Sequence, residues 1–272
     1  MRLLTRGWGD GKSVTGYFNL ERWIVGASLL LLMLLSWIYL FLMADGMKVM
    51  AGEGGSAKYM WLMPMGRWDV TDFMLGFLMW VIMMIGMMIP SAAPMIFLYA
   101  KIRHRAEASG RAFALTSFFS LGYFAIWAVF SLAATLLQYL LTELRLYSDF
   151  METDNAGLSG LILILAGLYQ LTPWKNACLA HCQSPLGFLT NHWRDGAGGA
   201  FCMGVTHGGY CLGCCWLIML VLFSVGVMNL FWIAVLSVFV LCEKFFATGK
   251  RVAYGTGVAL VAFGLLRAIR IL

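Results

Sequence analysis

Charged side chains are scarce in this sequence: they make up 12% of its 272 residues, whereas hydrophobic side chains make up 61%. A soluble globular domain carries roughly twice that charged fraction, so the composition excludes one. The net charge is +6, but the basic residues are scattered, and no basic patch is interleaved with aromatic side chains. We therefore expect contact with a lipid bilayer and no nucleic acid as a partner.

Cysteine is absent from the first half of the chain, and none precedes Cys178. The seven cysteines are Cys178, Cys182, Cys202, Cys211, Cys214, Cys215 and Cys242. An odd number of cysteines, all in the second half, argues against a disulfide framework. The sequence also lacks a Walker-type glycine-rich motif, so any transport would be passive or coupled to protons.

Seven apolar stretches predict an all-α fold, a polytopic transmembrane helix bundle. The stretches are residues 22–43, 72–99, 112–141, 158–171, 200–225, 229–248 and 252–271. Residues 1–21 are predicted to be a cytoplasmic tail, and residues 22–272 a single transmembrane helical domain. Most of the 19 Lys and Arg residues lie on the same side of these spans as the N-terminus. The positive-inside rule therefore predicts a cytoplasmic N-terminus and a C-terminus outside.

The fifth apolar stretch contains the motif HGGYCLGCCW at residues 207–216. On a helix, its His207, Cys211, Cys214 and Cys215 share one face. Polar side chains at membrane depth need partners and usually mark function, and thiolate and imidazole are metal ligands. The alternative is packing, because the three glycines allow close helix contact and cysteine packs as a small hydrophobe. We favour metal or redox chemistry for this cluster.

A second cluster precedes this helix, with Cys178 and Cys182 one helical turn apart and His181 beside them. The predicted orientation places it at the cytoplasmic face, where thiols stay reduced. Cys211 would lie roughly 16 Å deep at the rise of an α-helix. One ion could reach both clusters only if residues 174–189 folded back into the bundle, so we expect two separate sites.

Four methionines in the second stretch form two adjacent rows on a helix: Met83, Met84, Met87 and Met88. Methionine often fills gaps in cores, so packing alone also produces such rows. We predict these thioethers as weak additional metal ligands. The softness of Cys and Met favours Cu(I) as the bound metal, ahead of zinc or an iron–sulfur cluster.

Four motifs together resemble a family of bacterial proteins. They are MMxxMMxP at residues 83–90, LTPxKxxCLxHCxSP at 171–185, HGxYCLGCCW at 207–216 and EK at 243–244. This cysteine-rich family consists of predicted metal-binding integral membrane proteins of unknown function. The resemblance covers most of the chain, and it implies metal binding and a multi-pass location in the bacterial inner (cytoplasmic) membrane. It supplies no established activity.

The favoured hypothesis is a membrane Cu(I)-binding protein for copper trafficking, or for loading a copper enzyme. Its partner would be a copper enzyme or a metallochaperone. The predicted metal ligands are Cys178, His181, Cys182, His207, Cys211, Cys214, Cys215 and the four methionines. A carrier is favoured over an enzyme, so no catalytic residue is assigned.

Two alternatives stay open. The first is a membrane thiol-disulfide oxidoreductase that uses Cys178 with Cys182 and the Cys-x-x-Cys pair Cys211 and Cys214. Against it, the pair lies in an apolar stretch with no thioredoxin-like βαβ pattern around it. The second is an accessory subunit of a larger membrane complex, in which the cysteines serve only packing.

Overall fold

The computed structural model describes residues 11–50, 68–107, 109–146, 155–246 and 249–269. Within these residues the protein is helical and contains no strand, which confirms the predicted all-α fold. The helices are α1 Gly11–Met50, α2 Val70–Ala106, α3 Ser109–Glu143, α4 Ala156–Gln170, α5 Pro173–Gln183, α6 Pro185–His192, α7 Gly196–Leu220, α8 Leu222–Val225, α9 Leu230–Phe245 and α10 Gly249–Ile269.

By length and composition, five spans in the described residues are long and apolar enough to cross a membrane. They are Trp23–Lys48, Val70–Ala106, Gly110–Glu143, Gly196–Val225 and Gly249–Ile269. Helices α4 and α5 pass the same test only as a pair, and this pair is bent by 64°. The remaining predicted span corresponds to α9, whose 16 residues are short for a bilayer.

The first helix starts earlier than the sequence analysis predicted. Helix α1 begins at Gly11, so residues 11–21 of the predicted tail are part of this helix. Residues 11–21 contain no strong stop signal, because one isolated glycine is tolerated inside a helix. Residues 1–10 of the predicted tail lie outside the described residues.

The bend between α4 and α5 determines where the second cysteine cluster lies. Thr172 caps α5, because its side chain accepts a hydrogen bond from the Lys175 backbone N–H, and Pro173 occupies the first turn. A proline suits this position because the first backbone N–H groups of a helix have no partner within the helix. The bend turns α5 back against α7, where Leu179 becomes fully buried.

A polar network holds α5 between α4 and α9. The Lys175 Nζ lies 2.5 Å from the Glu243 Oε1, and the two side chains are 0% and 1% exposed. Gln170 at the end of α4 hydrogen-bonds both partners of this ion pair. At the other end of α5, the Gln183 side-chain amide donates to the backbone oxygen of Glu243.

Helices α3 and α7 approach so closely that two glycines are required. A Cβ atom added to Gly204 would lie 2.0 Å from the Phe119 backbone oxygen, and one added to Gly122 would lie 2.2 Å from the Phe201 backbone oxygen. Neither position has room for a side chain, because the obstacle is backbone rather than a movable side chain. This contact brings Tyr123 of α3 against the cysteine face of α7.

Candidate metal centre

The structure joins the two cysteine clusters into one. Because α5 folds back against α7, the Cys182 thiol interacts with the Cys211 and Cys214 thiols. The Cys215 thiol also interacts with the Cys211 and Cys214 thiols. We call Cys182, Cys211, Cys214 and Cys215 the thiol cluster. Helix α5 therefore folds inward against α7, which is the condition for one ion to reach both clusters. The number of metal sites stays a prediction.

The thiol cluster is mostly closed to the outside. Cys211, Cys214 and Cys215 are each 1% exposed, whereas Cys182 is half-buried. The Cys214 and Cys215 thiols donate to the Cys211 backbone oxygen at 3.0 Å and 3.1 Å. His207, Cys211, Cys214 and Cys215, which were predicted to share one helix face, are all among the buried residues of α7.

The Cys211 sulfur is the most heavily contacted member of the cluster. It lies 2.8 Å from the Lys244 Nζ and 3.0 Å from the Tyr123 hydroxyl. Lys244 is itself 8% exposed, and its ammonium group also donates to the Ser91 Oγ at 3.1 Å. An ammonium group beside a sulfur favours the thiolate, which is the form that binds metals.

His207 lies beside the thiol cluster on α7 and is 4% exposed. Its ring centroid is 5.6 Å from that of Tyr123 and 5.3 Å from that of Phe188. Within the described residues, its buried Nδ1 has no hydrogen-bond partner. A buried imidazole nitrogen without a hydrogen-bond partner is unfavourable unless a ligand binds it. His207 is therefore a candidate metal ligand.

A cavity of about 160 Å³ adjoins the thiol cluster. Helices α2, α5, α6, α7 and α9 contribute to its wall. Cys182, His207 and Lys244 are among its lining residues, with Ser91 and Gln183 adding polar groups. Two residues of the candidate centre can therefore be reached from a space large enough to admit a small ligand or an ion.

The donor set fits a soft metal, although the side chains are not yet arranged around one. Among the described residues, no three His, Cys, Asp or Glu side chains form a group that could hold a metal ion as they stand. The Cys214 and Cys215 thiols instead donate hydrogen bonds to the backbone oxygen of Cys211. Binding of a metal would require these thiols to lose protons and turn, as expected when ligands must first be deprotonated.

Other predicted ligands lie around the thiol cluster without completing it. Cys178 packs against Gly213 of α7, where an added Cβ would lie 2.9 Å from its sulfur. The His181 ring stacks on Tyr210, with centroids 4.1 Å apart. The four methionines are at most 1% exposed: Met83, Met84, Met87 and Met88. Their role as metal ligands, like that of Cys178 and His181, stays a prediction.

Sequence reasoning missed Lys244 and Tyr123 as partners of the thiol cluster. The available signal for Lys244 was a charged residue at the end of an apolar helix, which needs a partner if it is buried. Tyr123 carried no comparable signal, because a tyrosine within an apolar helix also occurs as ordinary core packing. Its position depends on the close contact between α3 and α7.

Comparison with known proteins points to copper. No curated protein matches the chain, and no solved structure matches it. The model of the PpoB2 family, described as a copper chaperone, matches residues 77–267. The matched range includes every cysteine and histidine of the chain, and the family description supports copper as the metal. Because the match covers more than half of the sequence, this chain belongs to the PpoB2 copper chaperone family.

Proposed function

We propose that this protein binds Cu(I) at the thiol cluster within a membrane helix bundle and passes it to a copper enzyme or a metallochaperone. The observation that carries the proposal is the contact of Cys182 of α5 with Cys211 and Cys214 of α7. Thiolates are the preferred ligands of Cu(I), and two or three of them satisfy its coordination. His207 is the additional ligand, through its unpaired nitrogen.

Lys244 has two roles in this proposal. Before copper binds, its ammonium group hydrogen-bonds the Cys211 sulfur. When Cu(I) binds two or more thiolates, the complex is negatively charged, and a nearby cation lowers the free energy of that buried charge. Its second partner, the Ser91 hydroxyl, still accepts a hydrogen bond from the ammonium group when Cys211 turns towards the metal.

Release of copper depends on the receiving protein. The sequence has no Walker motif, so ligand exchange with the acceptor's own thiolates moves the ion. The cavity beside Cys182 and His207 is the route by which such a ligand reaches the metal. In the orientation predicted from Lys and Arg, this cavity belongs to the cytoplasmic half of a multi-pass protein of the bacterial inner membrane.

The proposal is tested by the copper content of anaerobically purified variants. Cys211→Ser should lose bound Cu(I), because the Cys211 thiol interacts with the Cys182 and Cys215 thiols. Cys242→Ser is the matched control, since Cys242 lies on α9 and is outside the cluster. Competition with a Cu(I) chelator measures how tightly the two variants and the wild-type protein bind Cu(I). Equal copper content in the two variants would refute the assignment.

The oxidoreductase alternative is favoured by one observation. Cys182 contacts both Cys211 and Cys214, and sulfurs in contact are candidates for disulfide formation. A copper-free protein that cycles between two thiols and one disulfide, a two-electron change, would support this function. Stable thiols with bound copper support the carrier instead.

A further inference from the structure

Two histidines lie beside the thiol cluster without belonging to it. His181 on α5 and His192 at the end of α6 have ring centroids 6.5 Å apart, with an angle of 68° between the rings. We propose that His181 and His192 form an outer Cu(I) site that supplies the thiol cluster. This site rests on the proposed copper function but is separate from the cluster in its residues.

The hydrogen bonds of both rings leave the same nitrogen available. His181 Nδ1 lies 2.9 Å from the Ala177 backbone oxygen, and His192 Nδ1 lies 3.1 Å from the Phe188 backbone oxygen. A carbonyl oxygen only accepts, so Nδ1 carries the hydrogen in each ring. The lone pair of the neutral ring then lies on Nε2. Metal-binding histidines are typically fixed in this way, with the other nitrogen donating to a backbone carbonyl.

The separation of the rings fits one shared ion. A metal bound at about 2.0 Å from one nitrogen of each of two imidazoles sets the ring centroids about 6 Å apart when the three atoms are nearly in line. The observed 6.5 Å is close to this value. Imidazole is a suitable ligand for copper.

Aromatic side chains hold both rings in place. The His181 ring stacks on Tyr210 with an angle of 7° between them. The His192 ring stacks on Phe188, with centroids 4.7 Å apart. Both histidines are only half-buried, so an ion can reach them from outside while their orientation stays restricted.

The pair lies directly beside the thiol cluster. His181 precedes Cys182, and Tyr210, on which it stacks, precedes Cys211. Phe188 packs between His192 and the buried His207 ring. An ion at the outer site is thus one layer of aromatic rings away from the proposed inner ligands.

The transfer between the sites keeps copper in the same oxidation state. The bonds from Cu(I) to the two imidazole nitrogens break, and bonds to the cysteine sulfurs form. Each thiol that becomes a ligand releases its proton to water, so no oxidant or reductant is needed.

The outer site can be tested independently of the thiol cluster. The chain contains four histidines, so the ring nitrogens can be resolved by NMR of ¹⁵N-histidine-labelled protein in lipid nanodiscs. Cu(I) is titrated anaerobically into a Cys211→Ser background, in which the thiol cluster has lost one of its four sulfurs. We expect Cu(I) to shift the Nε2 signals of both His181 and His192, with the His104 signals unchanged.

Two further variants decide between binding and packing. In the Cys211→Ser background, His192→Ala should abolish the Cu(I)-dependent shift at His181. Introduced alone into the wild-type protein, His192→Ala should remove the second of two bound copper equivalents. His104→Ala should keep both. The site is refuted if the His181 signal is unchanged by Cu(I), or if its shift persists in His192→Ala. Failure of the inner site would appear instead as equal copper affinity in Cys211→Ser and Cys242→Ser, whatever the histidine signals show.

Discussion

Replacement of Glu243 by glutamine should loosen the helix that carries Cys182. The Lys175–Glu243 ion pair is fully buried, and Gln170 is its neighbour in the network. In Glu243→Gln, the ammonium group of Lys175 remains buried without a counter-charge. Removal of one partner from a buried pair typically lowers the free energy of unfolding by about 3–5 kcal/mol. The loss should release α5 from α9 before the whole bundle unfolds.

Two matched variants separate this effect from a general loss of charge. Asp195→Asn removes an acid that pairs with Arg103 at 3.1 Å but is 83% exposed, so it should cost less than about 1 kcal/mol. The double variant Lys175→Met/Glu243→Gln removes both buried charges. It should recover much of the stability, because no uncompensated charge remains.

Equilibrium unfolding in mixed micelles with increasing SDS, followed by tryptophan fluorescence, measures these differences. Copper content is measured in parallel, because Cys182 should leave Cys211 and Cys214 when α5 detaches. The reasoning would be refuted if Glu243→Gln were as stable as Asp195→Asn. It would also be refuted if the double variant were no more stable than Glu243→Gln alone.

Three other predictions concern a close helix contact, the charge of Lys244 and the topology. Gly204→Ala should lower the free energy of unfolding by about 1–3 kcal/mol, because its Cβ would collide with the α3 backbone, whereas Gly209→Ala, with no atom within 4 Å, should be neutral in the same SDS titration. Lys244→Met should weaken Cu(I) binding roughly tenfold in chelator competition, because it removes the nearby positive charge; unchanged affinity would contradict that role. A reporter fused after Leu272 should be periplasmic, and one inserted near Asp195 cytoplasmic; reversal of both would show that the orientation inferred from Lys and Arg is wrong.

Local patterns were sufficient to predict most of the helices. The apolar stretches 72–99 and 112–141 correspond to α2 and α3, and the structure extends each helix beyond the stretch. The extension reflects polar helical turns at the ends, which hydropathy does not detect. The 16 residues of α9 also show why apolar composition alone does not decide whether a helix spans a bilayer.

The position of α5 could not be predicted from local sequence. Pro173 indicates a helix start, but it does not specify the direction in which the new helix runs. That direction depends on the contact of Lys175 with Glu243, which are 68 residues apart in the chain. Helical spacing was enough to predict that Cys211 and Cys214 lie together. The position of Cys182 beside them depends on this long-range ion pair, which local sequence does not reveal.

The origin of the ligands on two helices affects how copper can be held. If Cys211 and Cys214 acted alone, their separation would be fixed by one helix, and the site would have little means of changing its affinity. Cys182 comes from α5, which has only 11 residues and meets α4 at a bend. A small displacement of α5 therefore changes the number of thiolates around the ion without unfolding α7. In the proposed copper carrier, a ligand on a short separate helix would make the copper-bound and copper-releasing states differ by one metal–sulfur bond.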